Sequence, residues 1–191
     1  MKIVVMKFGG TSVANVKKIR NVAKTVKDKI NNNKVIVVLS AMAGVTNALQ
    51  SYIDDANSFS DDNIYSKKNK ILPTIESDLV MTSGEQVTVG LLSMILNNIN
   101  IKSIPLLGWQ IPIVTDSNFE KSKILNINNE NIYNYFQEYD VIVLAGFQGI
   151  SIDGKITSLG RGGSDTTAVA IAASVKAERC DIYTDVEGVY T

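Results

Sequence analysis

Three short apolar segments, separated by segments of helical periodicity, constrain the fold of this chain more than any other feature. Ile3–Met6, Val35–Leu39 and Val141–Ala145 are rich in β-branched residues and do not alternate with polar ones. Strands of this composition are typically buried on both faces, as in parallel sheets. Between the first two, apolar residues from Val13 to Ile30 recur at helical spacing. This order predicts an α/β fold with a mainly parallel sheet.

The later part of the chain continues this alternation with two interruptions. We predict an all-round apolar, deeply buried helix at Glu85–Asn98, and an Ala-rich helix at Asp165–Lys176 followed by a strand at Asp181–Thr184. Within Ile111–Asp153, short segments can pair antiparallel, and the glycines before Lys155–Ser158 predict a hairpin.

No internal repeat or linker divides the chain, so we expect one domain over residues 1–191. The polar segment Asn57–Lys70 is predicted to be a surface loop or a loose helix. The chain stops at Thr191, directly after a strand and a turn, whereas a parallel sheet normally continues into another crossover. We therefore expect this domain to be incomplete at its C-terminus.

The composition excludes several classes of function. Lys+Arg and Asp+Glu are equal at 19 each, which gives no excess of positive charge to favour nucleic acid. Histidine is absent, which excludes Ser-His-Asp, Cys-His and His-ligated zinc mechanisms. The lone Cys180 fits a reducing compartment and is expected to be a small buried residue. No signal peptide and no apolar stretch of membrane-spanning length were identified, so we expect a cytoplasmic protein.

The first of three glycine-bearing turns, KFGGTS at 7–12, follows the first predicted strand. Gly9 and Gly10 allow backbone N–H groups to approach an anion, and the next helix adds its positive N-terminal end. Lys7 at the strand end can reach phosphate oxygens. The motif is not a Walker A sequence, and a plain turn with an extended lysine side chain is an equally good interpretation.

The second turn, LGRGGSDTT at 159–167, leads into the Ala-rich helix. Asp165, Thr166 or Thr167 is expected to cap that helix. Arg161 lies between glycines and is available to bind a carboxylate with its guanidinium fork. The alternative is a merely flexible turn.

The third turn, YTDVEGVYT at 183–191, can hold an adenine ring against Tyr190, with Thr184 and Asp185 near the ribose. A surface loop is the favoured alternative for this turn taken by itself. Each of these turns follows a predicted strand, so they share the carboxyl edge of the predicted sheet. Ligands of open parallel sheets bind at that edge.

Two smaller features complete the set of candidate site motifs. Ser40 to Thr46 follows a buried strand with small residues that permit close approach of a ligand. Ser83-Gly84-Glu85 precedes the apolar helix, and the alternative is that Ser83 caps the helix while Glu85 complements its dipole.

Six motifs together resemble the aspartate kinases of the amino acid kinase family. They are KFGGTS at 7–12, LSAMAGVT at 39–46, TSGE at 82–85, GFQG at 146–149, LGRGGSDTTA at 159–168 and YTDVEGVYT at 183–191. The resemblance implies a three-layer αβα sandwich around a mainly parallel sheet of about eight strands. It also implies phosphorylation of the side-chain carboxylate of L-aspartate by ATP, with Mg²⁺ carried by the nucleotide and no metal site formed by the protein.

The resemblance further implies roles for individual residues. Lys7, oriented by Asp165, would neutralise charge on the transferring phosphoryl group, and Gly9 and Gly10 would donate backbone N–H groups to it. Arg161 would bind the α-carboxylate of aspartate and Glu85 its α-ammonium group. The remaining site residues would line the substrate pocket or hold the nucleoside of ATP: Ser40, Thr46, Gly162, Gly163 and Ser164 for the former, and Thr184, Asp185 and Tyr190 for the latter.

Family kinase domains continue beyond the last motif, usually into regulatory domains, and the full-length proteins are expected to be homo-oligomers. We expect the 191 residues alone to be weakly stable, with low or no activity. Two alternatives remain: a related enzyme such as a glutamate 5-kinase or an acetylglutamate kinase, and an inactive remnant that binds nucleotide or another subunit.

Overall fold

The computed structural model describes residues 2–58 and 74–184. Most of the segment Asn57–Lys70 lies outside these residues, as do Asp185 and Tyr190. In chain order the strands and helices are β1 (Ile3–Phe8), α1 (Val16–Lys27), β2 (Lys34–Leu39), α2 (Val45–Ser58), α3 (Ile75–Met81), α4 (Ser83–Asn98), β3 (Ser103–Leu106), β4 (Ile113–Thr115), β5 (Ile124–Ile127), α5 (Asn129–Tyr135), β6 (Val141–Ala145), β7 (Gln148–Ser151), β8 (Ile156–Ser158), α6 (Gly163–Ser174) and β9 (Arg179–Tyr183).

The main sheet contains five strands in the order β3, β6, β2, β1, β9, and every neighbouring pair is parallel. The predicted parallel sheet is therefore confirmed. Lys7 on β1 lies opposite Val38 on β2 and Ile182 on β9, so the carboxyl ends of these strands meet at one edge. The turns that follow the strands consequently lie side by side.

Helices cover both faces of the main sheet, which confirms the three-layer αβα arrangement. On β1, Val4, Met6 and Phe8 belong to one core cluster, which also contains buried residues of α1 and α4. Ile3 and Val5 belong to the other, which contains residues of α5 and α6. This division follows from the strand period, in which successive side chains point to opposite faces.

A second, four-stranded sheet in the order β5, β4, β7, β8 packs beside the first. The pairs β4–β5 and β7–β8 are antiparallel, which confirms the antiparallel segments and the hairpin predicted for this region. The resemblance implied about eight strands in one mainly parallel sheet. The described residues instead divide nine strands between a parallel sheet and a mixed one.

Helix α4 is less deeply buried than its composition suggested. Leu92 and Leu96 are fully buried, but Val87 and Met94 on the opposite side are 55% and 61% exposed. The alternative interpretation, in which Ser83 caps this helix, is wrong, although Glu85 does lie in the first turn. Thr82 precedes the first helical residue, and the Ser83 hydroxyl instead donates to the carbonyl of Val80.

The stretch Ile75–Asn98, which joins α3 and α4, is long and apolar enough to cross a membrane by length and composition. This corrects the expectation that no stretch of the chain reaches that length. Core helices of soluble proteins pass the same test, and 44% of the apolar window is buried inside the protein. Because α4 packs on β2, β3 and β6, we interpret the stretch as a core element.

Cys180 is only half-buried, which departs from the predicted full burial. It lies on β9, the last strand of the described main sheet on that side. Burial raises the pKa of its thiol, and the carboxylates of Asp181 and Asp165 raise it further.

Candidate active site

A cleft of about 330 Å³, here called the main cleft, opens at the carboxyl edge of the main sheet. Residues from the turns after β1, β2, β6 and β8 and from the first turns of three helices line it: Lys7, Gly9, Gly10, Ser40, Thr46, Glu85, Phe147, Gly160, Arg161, Gly162, Gly163, Ser164 and Asp165. Eleven of the fourteen site residues predicted from the sequence lie in this lining. The fold thus brings together turns that are up to about 150 positions apart in the chain.

The turns after β1 and β2 pack directly on each other. The N–H of Ser40 donates to the carbonyl of Phe8 at 3.2 Å, and that of Ala43 donates to the carbonyl of Gly10, also at 3.2 Å. A Cβ atom on Gly10 would lie 2.9 Å from the carbonyl oxygen of Ala41, so the close approach requires glycine here. A short 3₁₀ turn begins at Gly10, and no side chain of the described residues caps it.

Lys7 and Asp165 form an ion pair in the lining of the main cleft. The Nζ atom of Lys7 lies 2.7 Å from Oδ1 of Asp165, and the lysine side chain is only 12% exposed. Lys7 projects from the face of β1 that α6 covers, and Asp165 is in the first turn of α6. A partly buried ammonium group held in this way is a fixed positive charge at the strand end.

The loop that carries Arg161 depends on two left-handed glycines. Gly160 and Gly162 have φ angles of 73° and 78°, a region in which other residues are strained. Arg161 is exposed, lines the main cleft, and forms no ion pair with the residues that the structure describes. Its guanidinium group is therefore available to a ligand.

The N-terminus of α6 opens onto the main cleft. Gly162 precedes the helix, and no side-chain cap is found among the described residues. The prediction that Asp165, Thr166 or Thr167 caps the helix is therefore wrong. Asp165 pairs with Lys7 instead, and the two threonine hydroxyls donate back to the carbonyls four residues earlier. Of its first three N–H groups, those of Gly163 and Asp165 donate to the carbonyls of Gly160 and Gly162, which leaves that of Ser164 suited to an anion.

Glu85 is a buried carboxylate in the first turn of α4. Its Oε1 atom accepts a hydrogen bond of 3.1 Å from the N–H of Ala41, and its Oε2 atom has no hydrogen-bond partner among the described residues. Burial raises the pKa of Glu85 to about 7, although the hydrogen bond from Ala41 acts in the opposite direction. A cation in the main cleft would stabilise the ionised form.

Thr184 does not reach the main cleft. It lies beside Tyr183 and Phe8 in another cleft of about 350 Å³, which is bordered by α1. The rings of Tyr183 and Phe8 stack there with centroids 4.4 Å apart. Asp185 and Tyr190, which were predicted to complete a nucleoside site with Thr184, lie outside the described residues.

Two residues of the lining were not predicted as site residues. Phe147 has a φ angle of 70°, unusual for a residue with a side chain, and its N–H donates to the hydroxyl of Thr167 at 3.1 Å. Gly160 was recognised only as part of its motif. The GFQG and LGRGG motifs were the available signals, but only the tertiary packing shows that they share one wall.

The chemistry available in the main cleft is that of anion binding and charge stabilisation. Lys7 and Arg161 supply positive charge, and Glu85 can accept a cation. Within the described part of the chain, no group of three or more Cys, Asp or Glu side chains could hold a metal ion. The donor set therefore fits Mg²⁺ only as an ion held mainly by ligand phosphates and water.

Comparison with known proteins places this arrangement in a family. The sequence model of the amino acid kinase family matches residues 2–191. The chain belongs to the amino acid kinase family. Among curated members, it is 46% identical over its whole length to an aspartokinase of Rickettsia felis and 48% identical to one of Bacillus sp. strain MGA3. The chain covers 46% and 44% of these relatives, so it spans about half of their length.

Solved structures of this family show the same fold. A crystal structure of Escherichia coli aspartokinase III in complex with aspartate and ADP superposes with a TM-score of 0.81 at 26% identity. That comparison covers 100% of this chain and 51% of the other. An aspartate kinase from Synechocystis superposes with a TM-score of 0.74 at 37% identity, covering 97% of this chain and 29% of the other.

Proposed function

We propose that the protein containing this chain is an aspartate kinase, which transfers the γ-phosphoryl group of ATP to the side-chain carboxylate of L-aspartate. The product would be 4-phospho-L-aspartate, the first intermediate of lysine, threonine and methionine biosynthesis. The observation that carries the proposal is the ion pair of 2.7 Å between Lys7 and Asp165 in a cleft whose walls present Arg161 and Glu85. The names of the similar proteins support the same substrate.

The phosphoryl end of the reaction is assigned to the turn after β1. A carboxylate is already nucleophilic at neutral pH, so the enzyme needs positioning and charge stabilisation rather than a histidine base. Lys7 would neutralise charge on the transferring group, with Asp165 fixing the position of its ammonium group. Gly9 and Gly10 would donate backbone N–H groups to phosphate oxygens, which the absence of Cβ atoms allows.

The amino-acid end is assigned to Arg161 and Glu85. Arg161 would bind the α-carboxylate of aspartate through its guanidinium fork, and Glu85 would accept its α-ammonium group. The cleft between them would be lined by small and hydroxylic residues, namely Ser40, Thr46, Gly162, Gly163 and Ser164. A clamp for both α-substituents favours a free amino acid over an acetylated one.

The nucleoside of ATP would be held near the end of β9 by Thr184, Asp185 and Tyr190. Mg²⁺ would accompany the nucleotide phosphates. Asp165 is the carboxylate that pairs with Lys7. When bound, the ion would add positive charge beside the transferring group. The protein would form no further metal site of its own.

The wider setting of this function is part of the same proposal. We infer a cytoplasmic enzyme that acts on small molecules, without a nucleic-acid or membrane partner, and that forms a homo-oligomer at its natural length. Residues 1–191 would form the larger part of its catalytic domain. The two alternatives are an inactive remnant and a related amino acid kinase. The experiment below distinguishes both from an aspartate kinase.

The test is a substrate panel with coupled detection of ADP, using the protein at its natural length. L-Aspartate, L-glutamate and N-acetyl-L-glutamate are compared at equal concentrations with MgATP. We expect ADP release with L-aspartate at least about 100-fold faster than with N-acetyl-L-glutamate, which has no ammonium group for Glu85. We expect it at least about 10-fold faster than with L-glutamate, whose extra methylene misplaces the side-chain carboxylate. Preference for N-acetyl-L-glutamate, or binding of ADP without turnover of any substrate, would contradict the proposal.

A further inference from the structure

Asp78 on α3 is a carboxylate buried outside the lining of the main cleft. Its exposed fraction is 0%. Oδ1 accepts from the hydroxyl of Ser158 at 2.6 Å and Oδ2 from the N–H of Ser158 at 2.8 Å. The N–H of Glu120 donates to both oxygens at 3.0 and 3.1 Å. Burial raises the pKa of Asp78, and the hydrogen bonds from Ser158 and Glu120 oppose that rise.

The partners of Asp78 lead directly to the Arg161 loop. Ser158 is the last residue of β8, three positions before Arg161. Glu120 has a φ angle of 63°, and its carbonyl oxygen would lie 2.9 Å from a Cβ atom on Gly160. One carboxylate therefore fixes both the strand end from which the loop departs and the segment against which Gly160 packs.

The Arg161 side chain is not fixed by any ion pair with the described residues, so the direction of its guanidinium group depends on the backbone of its loop. Arg161 also borders a neighbouring cleft of about 470 Å³, together with Glu120. A loop released from Asp78 could turn Arg161 toward that larger space and away from the main cleft.

We propose that Asp78 is a positioning residue for substrate binding, which holds the Gly160–Gly162 loop so that Arg161 faces the main cleft. The inference rests on the proposed function, because it assigns Arg161 to the α-carboxylate of aspartate. A carboxylate suits this position because it accepts at every lone pair, whereas an amide would present a donor to Ser158 or Glu120. The hydrogen bonds offset part of the cost of burying the charge.

The test compares Asp78→Asn and Ser158→Ala with a matched control in the protein at its natural length. Ser158→Ala removes the contact of 2.6 Å and keeps both backbone donors. The control is Ser103→Ala, which breaks the buried contact of Ser103 with Ser93 between β3 and α4, away from the main cleft. Affinities for L-aspartate and ADP are measured by titration calorimetry, and unfolding temperatures by calorimetric scanning.

We expect Asp78→Asn to weaken L-aspartate binding by about tenfold or more, and Ser158→Ala by about threefold. ADP affinity should stay within about twofold in both, because the turn after β1 is not attached to Asp78. Ser103→Ala should lower the unfolding temperature without changing either affinity. If Asp78→Asn affects L-aspartate no more than the control does, the inference is wrong. If Asp78→Asn fails to fold, unchanged affinity in Ser158→Ala overturns it.

Hydrogen exchange separates this inference from the proposed function. The N–H of Leu159 donates to Phe147 and that of Gly163 to Gly160, so both amides report on the loop. Faster exchange at these amides in Asp78→Asn or Ser158→Ala than in the control supports the anchoring role, even if the wild-type protein binds no L-aspartate. Equal exchange in all variants overturns it. Absence of L-aspartate binding in the wild type overturns the proposed function instead.

Discussion

Replacing Glu85 by glutamine should remove a loss of stability that the ligand-free protein undergoes as the pH rises, while weakening aspartate binding. Glu85 is 4% exposed, and burial raises its pKa from an ordinary value of 4.5 to about 7. A folded-state pKa above the unfolded value means that the folded chain binds the proton more tightly. Stability is therefore lost as the pH rises through this window, and the loss is complete above about pH 7.

The magnitude follows from the same shift. Each tenfold change in proton affinity corresponds to about 1.4 kcal/mol, so the wild type should lose on the order of 2–3 kcal/mol between about pH 5 and about pH 8 relative to Glu85→Gln. The glutamine keeps an oxygen to accept from Ala41. Its amide nitrogen takes the place of Oε2 and lacks a partner among the described residues, at a cost of about 1–3 kcal/mol. Because that cost does not depend on pH, the difference between the two pH values isolates the charge.

The assay is urea unfolding of both proteins without ligand at the two pH values, followed by titration with L-aspartate. The ammonium group of the ligand favours the ionised form of Glu85, so wild-type affinity should rise with pH up to about 7, whereas that of Glu85→Gln should be weaker and flat. If the stability difference between the proteins does not change with pH, Glu85 is ionised at little cost in the ligand-free protein. That result would refute the reasoning from burial.

Three further variants examine the other parts of the main cleft. Lys7→Ala should lower kcat by about 100-fold or more while leaving the KM for aspartate nearly unchanged, as steady-state kinetics can show; an unchanged kcat would remove Lys7 from the mechanism. Arg161→Ala should chiefly raise the KM for aspartate, by about 10-fold to 100-fold, and a selective change in the KM for ATP would contradict the assignment. Gly10→Ala places Cβ 2.9 Å from a backbone oxygen and should weaken ADP binding in calorimetry. Its control is Gly90→Ala, in which the added Cβ atom meets no other atom within 4 Å. The control should stabilise α4 by about 0.5–1 kcal/mol with unchanged kinetics. Equal effects of the two substitutions on ADP binding would refute the steric argument for Gly10.

The sequence predicted the main sheet well because its strands are short, β-branched and buried on both faces. Val141–Ala145 is the strand that was predicted, residue for residue. Helix α4 was less well predicted, because apolar composition alone does not reveal that Val87 and Met94 face outward. The capping residues considered for α4 and α6 were wrong because a polar residue near a helix start can bond to a group outside the helix. Ser83 donates to the carbonyl of Val80, and Asp165 pairs with Lys7.

The residues that the sequence could not indicate are those defined by tertiary contacts. Asp78 looks like an ordinary acidic residue of a helix, and nothing local predicts that its carboxylate accepts from Ser158, 80 positions later. The left-handed backbone of Phe147 and Glu120 is equally hidden, because neither residue type favours that conformation. The motif residues could be identified from the sequence, whereas the residues that hold them in place could not.

The contact between Lys7 and Asp165 follows from the strand period and the order of the elements. Ile3 and Val5 face the layer that contains α6, so Lys7, two residues further on, must project to the same side. Asp165, the third residue of α6, then meets Lys7 because α6 packs on β1 with its N-terminus at the carboxyl edge of the sheet. A shift of one residue in the register of β1 would direct Phe8 toward Asp165 and place the ammonium group in the apolar layer of α1 and α4. The burial of this strand and the charge of the site therefore require the same register, so changes that loosen β1 should impair phosphoryl transfer as well as stability.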